Sequence, residues 1–460
     1  MGTTPERHRA AWRAAFVVGI WSVLASFAEG CGGDSGQAVA LPEEVFVRAG
    51  YDGTPDGSSD HPFASPAEAI EAIANAADWQ GTLVVEKGRY SLTQELVLPE
   101  GVELEIRAGV RLAMGPDVSV HAQADVKVLG VEDDPVVFTW LEEGKHWGSL
   151  TNFEPDSEDN VFEWATFEHG YESNFKGIAM RGALSLNGAK ARISHCTFRE
   201  NEGDDGLNLK RSSTLVEHST FEDNVSDALD ADGEGAPEVR FSTFTNNGND
   251  GVDLGEGTKP YVHDNVIIGQ GDKGISNGEA SAARIEHNLI VGCGVGIGVK
   301  DDADPVMRYN TLYGNDYGLR VFQEDTSFGG GKGRFEDGII WGSMTEDILF
   351  EFGETTFAYS CIERIVDDGG SPVVEGEGLK TVGSGCDDPM FVDADALDFH
   401  LASESGHWDE ESSDWTVDDR TSPCIDAGDP AADLGEEPAP NGSVVNVGVY
   451  GGTAQASKSP

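Results

Sequence analysis

The residues best placed to do chemistry are aspartates that recur at near-constant spacing: Asp204 and Asp205, Asp227 and Asp230, Asp250 and Asp253. If each set lies on one coil of a stacked repeat, Asp205, Asp227 and Asp250 stand ~4.8 Å apart. Carboxylates that close do not all stay ionised without a counter-charge. A hard divalent cation such as calcium, which takes several carboxylate oxygens, answers that need. Asp205, Asp227, Asp230, Asp250 and Asp253 are the expected ligands, and Lys210 or Lys273 offers partial compensation instead. A second account is turn chemistry, with each Asp capping backbone amides. Lys210, Lys300 and Arg320 fall on outward positions of the same column, where a base and a charge stabiliser would be wanted. His195, His218 and His287 share an adjoining column; stacked imidazoles can hold a metal, although histidines beside turns are common.

Those positions are set by a repeat of 22 or 23 residues. Phe198, Phe221, Phe244, Ile267, Ile290 and Leu312 form one apolar column. Ile193, Val216, Val239, Val262, Ile285 and Met307 form another, and Leu207, Leu229, Val252, Ile275, Ile297 and Leu319 a third. Three apolar columns at one period describe a three-sided solenoid, in which stacking supplies the core that no single repeat can bury. Alternation such as Leu207-Asn208-Leu209-Lys210 predicts strands with one face inward. Outward positions are then Asn208/Lys210, Asp230/Asp232, Asp253, Ser276, Lys300 and Arg320. Gly206, Ala228, Gly251, Gly274, Gly296 and Gly318 are also expected outward, as a flat strip on which a linear polysaccharide lies without steric conflict. Two polar columns, Asn265-Asn288-Asn310 and Asn201-Asn224-Asn247-Gln270-Asn315, the latter broken by Cys293, read as ladders of side-chain amides.

This pattern resembles the right-handed parallel β-helix of pectate-lyase-like proteins. The expected fold is therefore all-β, a right-handed parallel β-helix solenoid with a short N-terminal capping helix. Ser65-Pro66-Ala67-Glu68 is a capping box, and Ile70, Ile73, Ala74 and Ala77 supply an apolar stripe. The expected divisions are a signal peptide at 1–30, a lipid-attachment cysteine and tether at 31–43, the β-helix at 44–345, and C-terminal coils with a closing cap at 346–460. The resemblance implies a polysaccharide partner and, as an enzyme, a calcium-assisted lyase. There the cation acidifies the uronate C5 proton, Lys210 or Lys300 removes it, and Arg320 aids the developing charge. The stretches Gly203 to Lys210 and Gly271 to Ser276 also resemble polygalacturonase-type hydrolases, whose paired Asp map onto Asp204 and Asp205. That family's histidine falls at Lys273, and its Arg-Ile-Lys motif is absent. A non-catalytic surface or adhesive protein is the competing class.

Composition narrows the partners. Lys and Arg number 30 against 83 Asp and Glu, a net charge of −53, so nucleic acid and anionic lipid surfaces are repelled. Arg7, Arg9 and Arg13 followed by the apolar stretch from Ala14 to Ala28 read as a secretory signal. Cys31 after a small residue resembles a bacterial lipobox, with Ala28 and Glu29 departing from its usual pattern. Gly32, in place of Asp, points to the outer membrane, with membrane contact through the lipid alone and a monomeric chain. Export permits a disulfide: Cys361 and Cys386 are the closest pair, and Cys424 is the other possible partner. Cys196 and Cys293 sit too many coils apart to bridge.

Overall fold

The computed structural model describes residues 41–76, 78–155, 158–364 and 374–460. The expected signal sequence and the lipidation of Cys31 lie outside the described residues. Among these, short strands stack in parallel into three sheets of 14, 13 and 11 strands, each coil contributing one strand to each sheet in turn. This is an all-β, right-handed parallel β-helix. All three apolar columns stack in register, Ile193 on Val216, Phe198 on Phe221, Leu207 on Leu229 and onward. Their members are fully buried. The phenylalanine column also runs back beyond the 22-residue period: Phe138, Phe167, Phe198, Phe221 and Phe244 stack with ring centroids 4.6–5.0 Å apart.

Both polar ladders form. Asn201 Nδ2 donates to Asn224 Oδ1 (2.9 Å), Asn224 to Asn247 (2.8 Å) and Asn247 to Gln270 (2.9 Å). Each acceptor also receives the backbone N–H of the coil before it. Where Cys293 interrupts the side-chain relay, its N–H still reaches Asn315 Oδ1 at 2.8 Å. The second ladder, Asn265 to Asn288 to Asn310, is joined at 3.0 Å per step. Thus the donors and acceptors left free where the chain turns between sheets are satisfied along the axis.

The corner that carries the Asn265 ladder also uses one residue in the left-handed region, directly before the ladder position: Trp164, His195, His218, Phe241, Asp264, His287 and Tyr309 have φ between 47° and 54°. That conformation costs a non-glycine residue ~1–2 kcal/mol, and ring stacking offsets part of it. His195 stacks on Trp164 (4.4 Å) and on His218 (5.2 Å), and His287 on Tyr309 (4.8 Å). The histidines are corner residues in an aromatic stack.

The helix Pro66–Asn75 closes the N-terminal end of the bore, with Ser65 Oγ accepting the Glu68 N–H. Its buried face is Pro66, Ala69 and Ile73, with Ile70 against the core; Ala74, expected in the stripe, is exposed because the helix turns Ala69 inward instead. At the other end the closing segment is bolted to the coils by polar contacts. Asp337, fully buried, accepts from Arg308 and from the Asp429 N–H (2.7 Å), and the Val449 N–H donates to Thr311 Oγ1 (3.0 Å). Cys361 and Cys386 form a disulfide, with the Cys424 thiol 3.6 Å from Cys386 Sγ in the same apolar cluster. Cys196 and Cys293 are buried free thiols.

Two outcomes follow from this packing. Asn224→Ala strands the Asn201 amide and the Phe198 carbonyl, so the denaturant midpoint should fall by an amount equivalent to about 3 kcal/mol. An unchanged midpoint would show the ladder to be ornamental. Peptide mapping should find Cys361–Cys386 joined and Cys424 free, and in Cys361→Ser it should find Cys386–Cys424 instead.

Candidate functional site

The strand positions that carry the aspartates are Asp205–Lys210, Asp227–Asp232 and Val252–Leu254, neighbours in the 11-stranded sheet. Asn208 pairs with Asp230, Asp230 with Asp253, and Lys210 with Asp232. The register is constant here, Asp205 facing Asp227 and Leu207 facing Leu229, but the in-and-out alternation breaks at the strand start: Asp205 lines the cleft, while a Cβ on Gly206 would meet Ala228 and Asn224 at the inner corner. The expected flat strip of small residues is therefore not on the surface. A Cβ on Gly251 would meet Ile267 at 3.1 Å, and one on Gly274 would meet Ile290 at 2.4 Å, both within the core. These residues are small because the inner corner is already filled.

On the outer side lies a cleft of about 250 Å³. Eight carboxylates, those of Asp204, Asp205, Asp227, Asp230, Asp232, Asp253, Glu256 and Glu279, face three cations, Arg181, Lys210 and Lys300. Leu254 is the one apolar side chain in the lining apart from glycines. Elsewhere the solenoid arranges surface charge differently. On the 14-stranded sheet, Glu217, Arg240, His263, Glu286, Arg308 and Glu336 follow one another coil by coil, so no acid stands next to an acid. The cleft is where like charge stacks on like.

Burial and mutual repulsion act on the acids accordingly. Asp205 and Asp230 are held well above the usual carboxylate range, by burial first and then by neighbouring aspartates. Burial raises Asp227 and Asp232 to about 6 and Asp250 to about 7. Asn208 Nδ2 donates to Asp230 Oδ2 (2.9 Å). Asp205 Oδ2 is buried with no hydrogen-bond partner.

The structure separates the expected site residues into two groups. Asp205, Asp227, Asp230, Asp253, Lys210 and Lys300 all line the cleft. Asp250 does not: it accepts the Lys273 N–H (2.8 Å) and faces the Lys273 ammonium at 3.4 Å. Asp227 has a capping role as well, accepting the Asp250 N–H at 2.7 Å, so turn chemistry accounts for part of the column. Lys300 is ion-paired with Glu324, which raises its pKa against the lowering effect of burial. Lys210 Nζ stands 3.6 Å from Glu256. Arg320 lies outside the cleft, paired with Glu351 at 2.8 Å and stacked over Phe322.

Arg181, Glu256 and Glu279 escaped the sequence reading. A signal existed for the last two, since Gly255-Glu256 and Gly278-Glu279 repeat at the same period as the aspartates. The cleft's donors are hard carboxylate oxygens, the type calcium takes, but among the described residues no three of them have donor atoms within 4.8 Å of one another. Among the described residues, the one group of three ligand side chains whose donor atoms all lie within 4.8 Å of one another is Cys361, Cys386 and Cys424.

With fold and cleft in place, the class is a right-handed parallel β-helix protein. The family described as a right-handed β-helix region matches residues 177–330, which contain the whole cleft. A family described as disaggregatase-related matches residues 379–428, in the closing segment. No curated protein matches the chain in sequence. Similar solved structures include the pectate lyase Pel9A, at 12% identity and TM-score 0.38, covering 90% of this chain and 98% of that one. The A-module of mannuronan C-5 epimerase AlgE6 from Azotobacter vinelandii is 14% identical at TM-score 0.43, covering 68% and 88%. A tailspike double mutant of E. coli bacteriophage HK620, in complex with a pentasaccharide, is 13% identical at TM-score 0.40, covering 72% and 66%. These likenesses are ones of fold.

The raised acids make stability depend on pH. Each holds its proton more tightly folded than unfolded, so its contribution is complete below about pH 4 and is lost as pH rises through 6–7. In the presence of a chelator the melting temperature should fall between pH 4.5 and 7.5, and Asp205→Asn should flatten that fall. A melting temperature that rises across the interval would contradict the assignment.

Proposed function

We propose that the acidic cleft binds and acts on a polysaccharide, with calcium held by Asp205, Asp230 and Asp253. The observation that carries this reading is the cleft's composition: eight acids around a buried, unpartnered Asp205 oxygen, with one apolar side chain in the lining. Such a surface offers nothing to an apolar ligand. It suits a polyhydroxylated chain, and for an anionic uronate it requires a divalent cation. Calcium, when bound, would neutralise the stacked carboxylates and the uronate carboxylate together.

The enzymatic activity proposed is lyase chemistry, β-elimination at a uronate. Of the two bases expected from sequence, Lys210 fits better, because its ion pair, with Glu256 at 3.6 Å, is looser than that of Lys300 with Glu324. Lys300 keeps its proton against Glu324, and Arg320 stands apart. Lys210 would take the C5 proton as the C4–C5 double bond forms and the C4–O bond breaks, with the departing oxygen taking a proton from solvent, while Arg181 and the Asn208 amide hold the chain. A hydrolase reading is favoured by the burial that pushes Asp227 and Asp232 up to about 6, where a carboxylic acid can protonate a leaving oxygen. Export and lipidation of Cys31 at the outer membrane would place the cleft where polysaccharides occur; palmitate labelling lost in Cys31→Ala tests that placement.

Pectate, alginate and chondroitin, each incubated with the protein and calcium, distinguish the chemistries. A lyase yields unsaturated uronate absorbance, lost in Lys210→Ala; a hydrolase yields reducing ends without absorbance; a binding or adhesive protein yields neither and retains binding. Calcium should raise the melting temperature beyond equal ionic strength of magnesium or sodium, by mass action. Asp205→Asn and Asp230→Asn should abolish that difference. Equal stabilisation by all three salts would remove the cation from the proposal.

A further inference from the structure

We propose that the cleft is walled at both ends along the solenoid axis and takes the terminus of a sugar chain, excluding segments from within a polymer. The inference rests on the polysaccharide reading and adds the part of the polymer that is recognised.

Along the sheet, one outward column runs His121, Thr151, Ser185, Asn208, Asp230 and Asp253. A groove for a long chain would leave this column open throughout. Its first three members are instead 1%, 0% and 0% exposed. What covers the column at its start is the antiparallel hairpin Ser173–Phe175 and Ile178–Met180, inserted between coils. Phe175 stacks on the His121 ring at 4.4 Å and packs with Phe153 and Met180 in a small apolar cluster of its own. Arg181, directly after the hairpin, reaches the cleft wall and pairs with Asp204. The upstream end is shut by this added element.

The downstream end is shut by lysines lying across glycines. Ser276, next in the column after Asp253, is 0% exposed, and its hydroxyl is buried without a partner. The Lys273 side chain passes over Gly298, with Cδ 2.7 Å from where a Cβ would be, and that of Lys300 passes over Gly278, with Cε at 2.9 Å. Glu324 fixes the Lys300 ammonium in that position. Between these boundaries the cleft lining runs over the coils from Asp205 to Lys300, with Asn208 and Asp230, 3% and 7% exposed, beneath it and Asp253 more open. A polymer lying along the axis meets the hairpin on one side and the lysine bar on the other, whereas a chain end enters and stops.

The test compares oligogalacturonate and oligoguluronate tetramers with the corresponding size-fractionated polymers, with calcium present, by calorimetry or biolayer interferometry. Binding should follow the concentration of chain ends: a tenfold longer chain should bind about tenfold more weakly per gram. With the hairpin still in place, Lys300→Gly, which continues the glycine column of Gly255 and Gly278, should keep the preference for chain ends; combined with Phe175→Ala it should restore binding of long chains per gram. Long chains binding wild type as strongly per gram as tetramers would overturn this inference and leave the polysaccharide reading standing. Absence of binding by short and long chains alike would overturn both.

Discussion

Parallel stacking in one register places every residue on its counterpart one coil away, and the molecule depends on what each residue type does when set against itself. Phenylalanine on phenylalanine and isoleucine on isoleucine bury apolar surface at close range. Asparagine on asparagine is self-complementary, because an amide both donates and accepts. Aspartate on aspartate is the combination that fails, since two ionised carboxylates repel and neither can donate. Where the fold has freedom to avoid this, it does, setting Glu beside Arg on the 14-stranded sheet. In the cleft it does not. Asp205, Asp227, Asp230 and Asp232 there are raised in pKa by burial, and one Asp205 oxygen is unpartnered. A cost of that kind in an otherwise self-consistent stack is the expected mark of a functional surface.

The same rule explains how the corners are built. Two turn regions are closed by amide ladders that hand each N–H to the coil beyond. The turn with the Asn265 ladder also uses, directly before the ladder position, a left-handed residue whose strain is shared by ring stacking from Trp164 onward. Because the corners are regular, the outward columns stay aligned, and side chains from coils 22 or 23 residues apart meet in one cleft. The irregular parts are the additions: the hairpin before Gly182 and the loop that carries Glu324. These give a repetitive surface its boundaries.

Much of this was legible in the sequence because the repeat is short and its columns are chemically distinct. The three apolar columns, both amide ladders, the N-terminal cap of the helix and the acid column could all be read from spacing. Asp205, Asp227, Asp230 and Asp253 with Lys210 and Lys300 could be assigned to one face, since period and alternation together set the direction of a side chain. The period also placed Cys196 and Cys293 beyond bridging distance.

What the tertiary structure alone decided turns on departures from that period. Strict alternation put Gly206 and Ala228 outside; the strand starts break that alternation, with the small residue at the inner corner and Asp205 lining the cleft, and a local break in alternation leaves no mark in composition. Arg320 shares a column with Asp253 yet lies beyond the lysine bar, held by Glu351 on another coil. Arg181, and the choice of Cys386 as partner for Cys361 with Cys424 close by, depend on where an inserted hairpin and a closing segment fold back. Sequence by itself determined the stack, because each column repeats a local rule. The boundaries of the cleft came only from tertiary structure, because they are made by segments that occur once and are positioned by contacts distant in the chain.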